Sequence, residues 1–232
     1  VEGIMAKILS IKELQDSMWP EWLQETFGEN LISAFLHGDC LMEGFNPFKE
    51  PWQISFLLKE NTPNKLIPLQ DLLRQAEKFK FQFSYFFTSQ FFDSAKDTFP
   101  LEFLHISKKN FPILGEAPLK DFIPEKKALR LQCERELRGL IIRLRSNFVY
   151  RLRKRTSLDF FLEAERAILP ILYGVHFLET MEYPESKDSM RKKYPFLQLQ
   201  PPGQKDNIIS EQANNYILEI EKILQFVDSM EV

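Results

Sequence analysis

The residues best suited to chemistry lie in one stretch, residues 31–58, which reads LISAFLHGDCLMEGFNPFKEPWQISFLL. An apolar segment there ends in His37-Gly38-Asp39, and a loop leads to a second apolar segment. A glycine turn after a strand lets backbone N–H groups approach a phosphate, and paired carboxylates hold the metal ion that such chemistry uses. The second segment has no such pair. The layout indicates a nucleotide-transfer site, and the missing acids argue against transfer.

Each polar residue of this stretch also has a plain structural interpretation. Asp39 could bind a metal, but a turn role explains it and is favoured, and its charge would repel a phosphate. His37 has no paired acid nearby in sequence, so a structural role is favoured for it too. Glu43 and Glu50 could supply displaced carboxylates, although loop acids are usually just solvated. If the stretch binds a nucleotide, the candidate element is the turn formed by His37, Gly38 and Asp39. No metal site is expected.

The composition excludes several classes of protein. Of the 232 residues, 44% are hydrophobic and 27% are charged, which is ordinary for a globular chain. The net charge of -3 gives no general reason to expect nucleic-acid binding. Cys40 and Cys133 have neither a disulfide pattern nor a metal-ligand spacing, which favours a reducing cytoplasm. No apolar run reaches about 18 residues and no signal peptide is visible, so we expect a cytoplasmic protein without membrane contact.

The first half of the sequence alternates helical and strand-like patterns. Ser10 and Glu13 have capping-box spacing ahead of a helix, and Leu69, Leu72 and Ala76 recur at helical steps within a second helix. Apolar runs predict four strands, at residues 31–36, 52–58, 81–87 and 101–106. In the third strand, four aromatic residues are expected to share one face: Phe81, Phe83, Tyr85 and Phe87. This order favours helices layered on a mixed sheet.

The second half is helical throughout. An apolar stripe at helical spacing predicts one long helix over residues 125–155. Ser157 opens a second helix with Pro170 inside it, and Ser210 begins the last one. Such helices pack as a bundle. The predicted fold class is therefore α+β, with a mixed-sheet domain followed by an all-α bundle. The predicted domains are residues 5–120 and 121–232.

The order helix, strand, glycine turn, strand, helix, strand and strand, followed by a bundle, resembles the nucleotidyltransferase superfamily of the DNA polymerase β type. In that family a Gly-Ser pair after the first strand helps hold the triphosphate. Two aspartates one residue apart on the next strand, with a third acid on a later strand, hold divalent metal. Here Gly38 matches the glycine and Asp39 replaces the serine. Gln53 and Ser55 fall at the two aspartates, so the resemblance implies a degenerate active site.

A second resemblance lies in residues 98–145, which contain FPLEFLHI and LRLQCERELRGLIIRLR. These phrases are similar to FPLEFLDI and LRxQCExELRGKLLRLR in the linking region of a bacterial subgroup of the family. The helical half would then correspond to the subgroup's helical partner domain. The family's third acid falls on Glu102 or His105. Both are expected on a strand, where residues three apart face opposite sides.

The resemblance implies a nucleotidyltransferase-like pseudoenzyme, which acts as a binding or regulatory module, requires no cofactor and has a protein partner. The alternative is a divergent metal-dependent nucleotidyltransferase. That enzyme would use Mg²⁺ to transfer NMP from an NTP to an unknown acceptor. Its acids would be displaced from the motif and drawn from Asp39, Glu43, Glu50 and Glu102.

One concentration of positive charge lies on the long predicted helix and consists of Arg143, Arg145, Arg151, Arg153, Lys154 and Arg155. It could contact RNA, a nucleotide or an acidic partner. A solvated helix face, with cations favourable near the helix C-terminus, is the favoured interpretation. Upstream, Glu134 lies four residues from both Arg130 and Arg138, which is the spacing of ion pairs along a helix.

Overall fold

The computed structural model describes residue 8 and residues 10–154, 157–198 and 206–231, without the side chains of residues 151–154, 157–159 and 206–209. The chain divides into two compact units. The first, called the sheet unit below, comprises Val1–Lys96 and Glu102–Ile123. The second, called the helical unit, comprises Asp97–Leu101 and Pro124–Val232.

The sheet unit is built on a mixed four-stranded sheet. Its strands are β1 (Leu31–His37), β2 (Trp52–Leu58), β3 (Phe81–Thr88) and β4 (Asn110–Leu114). The strand order is β3-β2-β1-β4, with β1 antiparallel to both β2 and β4 and with β2 parallel to β3. The α+β class predicted from the sequence is confirmed.

Short helices surround this sheet. They are α1 (Ile11–Gln15), α2 (Trp19–Phe27), α3 (Pro63–Leu66), α4 (Gln70–Phe79), α5 (Ser89–Ser94) and α6 (Pro100–Lys108). The predicted cap is present, because Ser10 Oγ accepts a hydrogen bond from the Glu13 N–H at 3.2 Å. Thr88 caps α5 in the same way, through the Phe91 N–H. Side-chain caps of this kind satisfy N–H groups that a helix start leaves unpaired.

One face of the sheet forms the main apolar core. Alternate residues of β2 point to this side, and Ile54 and Phe56 are both fully buried there. Trp19 and Leu23 of α2 cover them together with Ala76 of α4. Burial of large side chains from three elements is the main stabilising contribution in the sheet unit. The other face of β2 carries Gln53 and Ser55, because side chains alternate along a strand.

The strand predicted over residues 101–106 is wrong, because these residues lie in the helix α6. Pro100 starts that helix, where a fixed φ and a missing N–H cost little. Leu101 and Leu104 are then buried at a three-residue step. The fourth strand is instead β4, which contains Pro112. β4 lies at the edge of the sheet, where a proline removes no ladder hydrogen bond that a neighbouring strand needs.

The aromatic alternation predicted along β3 is interrupted. Ile54 pairs with Phe83, but Phe56 pairs with Phe86, so two residues of β3 lie opposite Ser55. An extra residue of this kind is a β-bulge, and it shifts the following side chains to the opposite face. Phe81, Phe83 and Phe86 therefore pack in the main core, whereas Tyr85 and Phe87 face the other side of the sheet.

The helical unit contains α7 (Lys126–Lys154), α8 (Ser157–Thr180), α9 (Lys187–Lys193) and α10 (Asp206–Asp228). Within the predicted apolar stripe of α7, Leu129, Cys133 and Leu137 are fully buried. α7 packs against α8 and α10. The last helix begins four residues before the predicted Ser210, since α10 starts at Asp206. No helix in the described ranges has the length and apolarity needed to cross a membrane.

Candidate functional site

The glycine turn follows β1 as the sequence predicts. His37 ends the strand, and residues 38–41 form one turn of 3₁₀ helix. Gly38 has a φ of 74°, in the left-handed region that glycine adopts without strain. Its N–H donates a hydrogen bond to the Lys109 carbonyl at 3.1 Å. The turn is therefore joined to the segment between α6 and β4.

Gln53 and Ser55 lie beside this turn, on the face of β2 opposite the main core. Gln53 is half-buried, and its Oε1 lies 2.9 Å from the point that a Cβ on Gly38 would occupy. Ser55 is fully buried. The structure thus places the two motif positions next to the glycine turn, where the resemblance puts the metal-binding aspartates.

Ser55 belongs to a polar cluster with His37 and Tyr85, called the His37 cluster below, in which Ser55 and His37 are buried and Tyr85 is exposed. The Ser55 Oγ lies 2.8 Å from His37 Nε2 and accepts a hydrogen bond from the Tyr85 N–H at 3.1 Å. The Tyr85 ring lies over the His37 ring, with centroids 5.4 Å apart. The β-bulge makes this possible, because it turns Tyr85 toward His37. Sequence reasoning missed Tyr85, which has no local signal among the other aromatic residues of β3.

The electrostatics of the cluster favour neutral groups. Burial, and then the nearby His105 imidazole, lower the pKa of His37 to about 4, so the ring is uncharged at neutral pH. Burial and the Glu102 carboxylate raise the pKa of Tyr85. A serine and a histidine at this distance can form a nucleophilic pair. Ser55 has no exposed surface, however, so a substrate has no access to its hydroxyl.

Cys40 lies in the same turn and contacts its backbone. Its thiol donates to the His37 carbonyl at 3.2 Å and also lies within hydrogen-bonding reach of the Gln53 backbone. Burial is the main reason why the pKa of this thiol rises to about 12. A buried, protonated thiol is inert as a nucleophile. Cys40 therefore has a structural role, and it is not part of a disulfide.

The acids proposed as displaced ligands lie on different elements. Asp39 is half-buried in the 3₁₀ turn, Glu43 is exposed just after it, and Glu50 is half-buried in the loop before β2. Glu102 lies on α6, close enough to Tyr85 to influence its pKa. Because α6 is a helix, Glu102 and His105 are three residues apart on one helical face. The expectation that they face opposite sides is wrong.

The metal that the family uses does not fit the donors present here. Mg²⁺ is held by carboxylate oxygens, by waters and by substrate phosphates. The two motif positions supply an amide and a buried hydroxyl, and none of the four strands contains Asp or Glu. Within the described ranges, no three side chains of Asp, Glu, His or Cys converge on a point where a metal could bind.

The basic run of the long helix is described only in part. Arg145 forms an ion pair with Glu221 of α10 at 2.5 Å, and Arg143 is exposed. The side chains of Arg151, Arg153 and Lys154, and all of Arg155, lie outside the described residues. Upstream, Glu134 pairs with both Arg130 (3.3 Å) and Arg138 (2.8 Å), so the i,i+4 pairs predicted from the sequence are confirmed.

Comparison with known proteins supports the fold. No family model and no curated protein matches the sequence. The chain is similar to the spectinomycin adenyltransferase AAD(9) from Enterococcus faecialis, solved with ATP and spectinomycin, at a TM-score of 0.53 and 13% identity over 93% of this chain and 100% of that chain. A nucleotidyltransferase-like protein from Exiguobacterium sibiricum gives a TM-score of 0.36 and 11% identity, over 91% and 74% of the two chains. The similarity to the adenyltransferase shows that the chain has a nucleotidyltransferase-like fold.

Proposed function

We propose that this chain is a catalytically inactive nucleotidyltransferase-like protein that acts by binding, as a regulatory or interaction module. The observation that carries the proposal is the pair Gln53 and Ser55 at the motif positions beside Gly38. An amide and a hydroxyl do not replace two carboxylates as ligands for a hard divalent cation.

The contacts of these side chains support the proposal further. The Ser55 hydroxyl is hydrogen-bonded to the Tyr85 N–H and to His37 Nε2. Removing the Ser55 hydroxyl would leave the buried His37 Nε2 without this partner, which costs about 1–3 kcal/mol. The face of β2 that carries Gln53 and Ser55, called the site face below, therefore contributes to the stability of the sheet unit and offers no charge that could stabilise a transferring phosphoryl group.

A transfer assay tests the proposal directly. The full chain is incubated with each of ATP, CTP, GTP and UTP, labelled at the α-phosphate, in the presence of Mg²⁺ or Mn²⁺. Spectinomycin serves as one acceptor, because the similar adenyltransferase was solved with it; the chain itself serves as the other, detected as self-labelling. We expect no labelled product above that of a heat-denatured sample.

Chelator-sensitive transfer to any acceptor would overturn the proposal and favour the divergent enzyme. The variants D39N, E43Q, E50Q and E102Q would then show which acid supports the activity. Neutralising an acid that holds the metal should lower the transfer rate by about a hundredfold or more. An acid that is merely solvated should leave the rate unchanged.

A further inference from the structure

We infer that the glycine turn is closed by the chain itself: the Gln53 side chain and the Lys109 backbone occupy the positions through which the turn would hold a triphosphate. The inference rests on the proposed function and deepens it. Missing acids alone would leave a turn that still binds nucleotide without reacting. A closed turn binds no triphosphate, so the binding activity of the chain lies on another surface.

The first part of the closure is the Gln53 amide. Apart from the glycine itself and its two chain neighbours, it is the one group among the described residues within 4 Å of a Cβ built on Gly38, and its Oε1 lies 2.9 Å from that point. A glycine in such a turn normally leaves room for a ligand to approach the backbone. Here the room is taken by the uncharged side chain of Gln53 from β2, which a ligand would have to displace.

The second part is the hydrogen bond from the Gly38 N–H to the Lys109 carbonyl, at 3.1 Å. His37 pairs with Asn110 in the β1–β4 ladder, so this bond extends the ladder by one residue on each strand. A phosphate held at a turn depends on backbone N–H groups that point at it. The Gly38 N–H already has a partner, and a ligand would have to break that bond.

The third part is charge. Asp39 takes the position next to the glycine, and it is half-buried. A carboxylate beside a triphosphate adds like-charge repulsion, which is stronger where water is partly excluded. The Cys40 thiol bonds to the His37 carbonyl within the same turn.

Calorimetric titration with sodium tripolyphosphate, with and without Mg²⁺, tests the closure on the full chain. The five proteins are the wild type, D39S, Q53A, the double variant D39S/Q53A, and D39S/Q82A as a matched control. Gln82 pairs with Gln53 across the β2–β3 ladder but is exposed, so its loss does not open the turn. We expect no heat from the wild type, and affinity at least about tenfold higher for D39S/Q53A than for D39S or D39S/Q82A.

Three results would overturn closure of the turn by Gln53: binding by the wild type, equal affinity of D39S and D39S/Q53A, or no binding by any variant. Each would mean that Gln53 is not what keeps the anion out. The outcome is separate from that of the transfer assay. Tripolyphosphate binding by the wild type without transfer would refute the closed turn alone, whereas transfer would refute the proposed function.

Discussion

The two faces of β2 differ in what they contribute. Ile54 and Phe56 point into the main core, where both are fully buried among aromatic and aliphatic side chains. Gln53 and Ser55 point to the opposite face, where they contact the glycine turn and the His37 cluster. The fold therefore depends on one face, and the chemistry of a nucleotidyltransferase would depend on the other.

This difference explains how the fold can form whatever residues occupy the second face of β2. Apolar burial is non-directional and scales with the area removed from water, so the core face tolerates any chemistry on the other side of the strand. The site face holds polar groups whose requirements are directional. Here the Ser55 hydroxyl meets its requirements within the protein, through the Tyr85 N–H and His37 Nε2.

The largest expected effect is on the core face. Phe56 contacts the rings of Phe27, Phe83 and Phe86, with centroids 5.1 to 5.3 Å away. We expect F56A to lower the free energy of unfolding of the sheet unit by about 3–5 kcal/mol, through lost burial and the cavity it leaves. Tryptophan fluorescence in urea measures this unit selectively, since all three tryptophans lie in it.

The matched control for this substitution is Q53A, on the same strand but on the other face. It should cost about 1 kcal/mol or less, because Gln53 is only half-buried. An equal loss for Q53A and F56A would contradict the division of β2 into a core face and a site face.

The second effect is the pH dependence of the His37 cluster. The folded pKa of His37 is about 4, against 6.5 for the unfolded chain, so the unfolded state binds the proton first as pH falls. The contribution of His37 to the stability of the sheet unit is therefore fully present above pH 6.5. As pH falls to about 4, the free energy of unfolding decreases by up to about 3 kcal/mol through this group. Urea unfolding at several pH values measures the slope, which H37Q should flatten.

The groups that face His37 are Ser55 on β2, Tyr85 on β3 and His105 on α6. H176Q serves as the control, because His176 lies on α8 of the helical unit, where it contacts Lys193. This variant should keep the wild-type slope by tryptophan fluorescence. An H37Q protein with an unchanged slope would show that other groups carry the acid sensitivity.

A smaller effect is expected at Ser55. The substitution S55A leaves the Tyr85 N–H and His37 Nε2 without their shared partner, so we expect a loss of about 1–3 kcal/mol. The control is S94A, because the Ser94 hydroxyl bonds to its own helix at an exposed position and its loss should change stability by about 0.5 kcal/mol or less. Indistinguishable unfolding curves for the two variants would remove the cluster as a stabilising feature.

The core face could be predicted from sequence because its signals are local. The bounds of β2 follow from one apolar run between Pro51 and Lys59. The segment PLEFLHI was harder, since a short apolar run fits a buried strand or a buried helix equally well. Pro100 and the three-residue step from Leu101 to Leu104 decide in favour of the helix.

The site face could be predicted only in part. The turn and the two motif positions came from the resemblance, and the structure places them together. The contact between Tyr85 and His37 depends on a bulge in the pairing of β2 with β3. The contact of Gly38 with Lys109 depends on β4, a strand that the apolar pattern did not reveal. Both are properties of strand pairing between distant segments, which local patterns do not encode.

The smallest effect concerns Ser84, the other residue of the bulge. Within the part of the chain that the structure describes, its buried Oγ has no hydrogen-bond partner, in contrast to Ser55. Removing a buried hydroxyl that lacks a partner relieves its desolvation cost, so S84A should leave stability unchanged or raise it by about 1 kcal/mol. Urea unfolding of S84A beside S55A measures the difference. A loss as large as that of S55A would indicate an ordered water at the bulge and would extend the polar cluster by one residue, whereas a gain would limit it to His37, Ser55 and Tyr85.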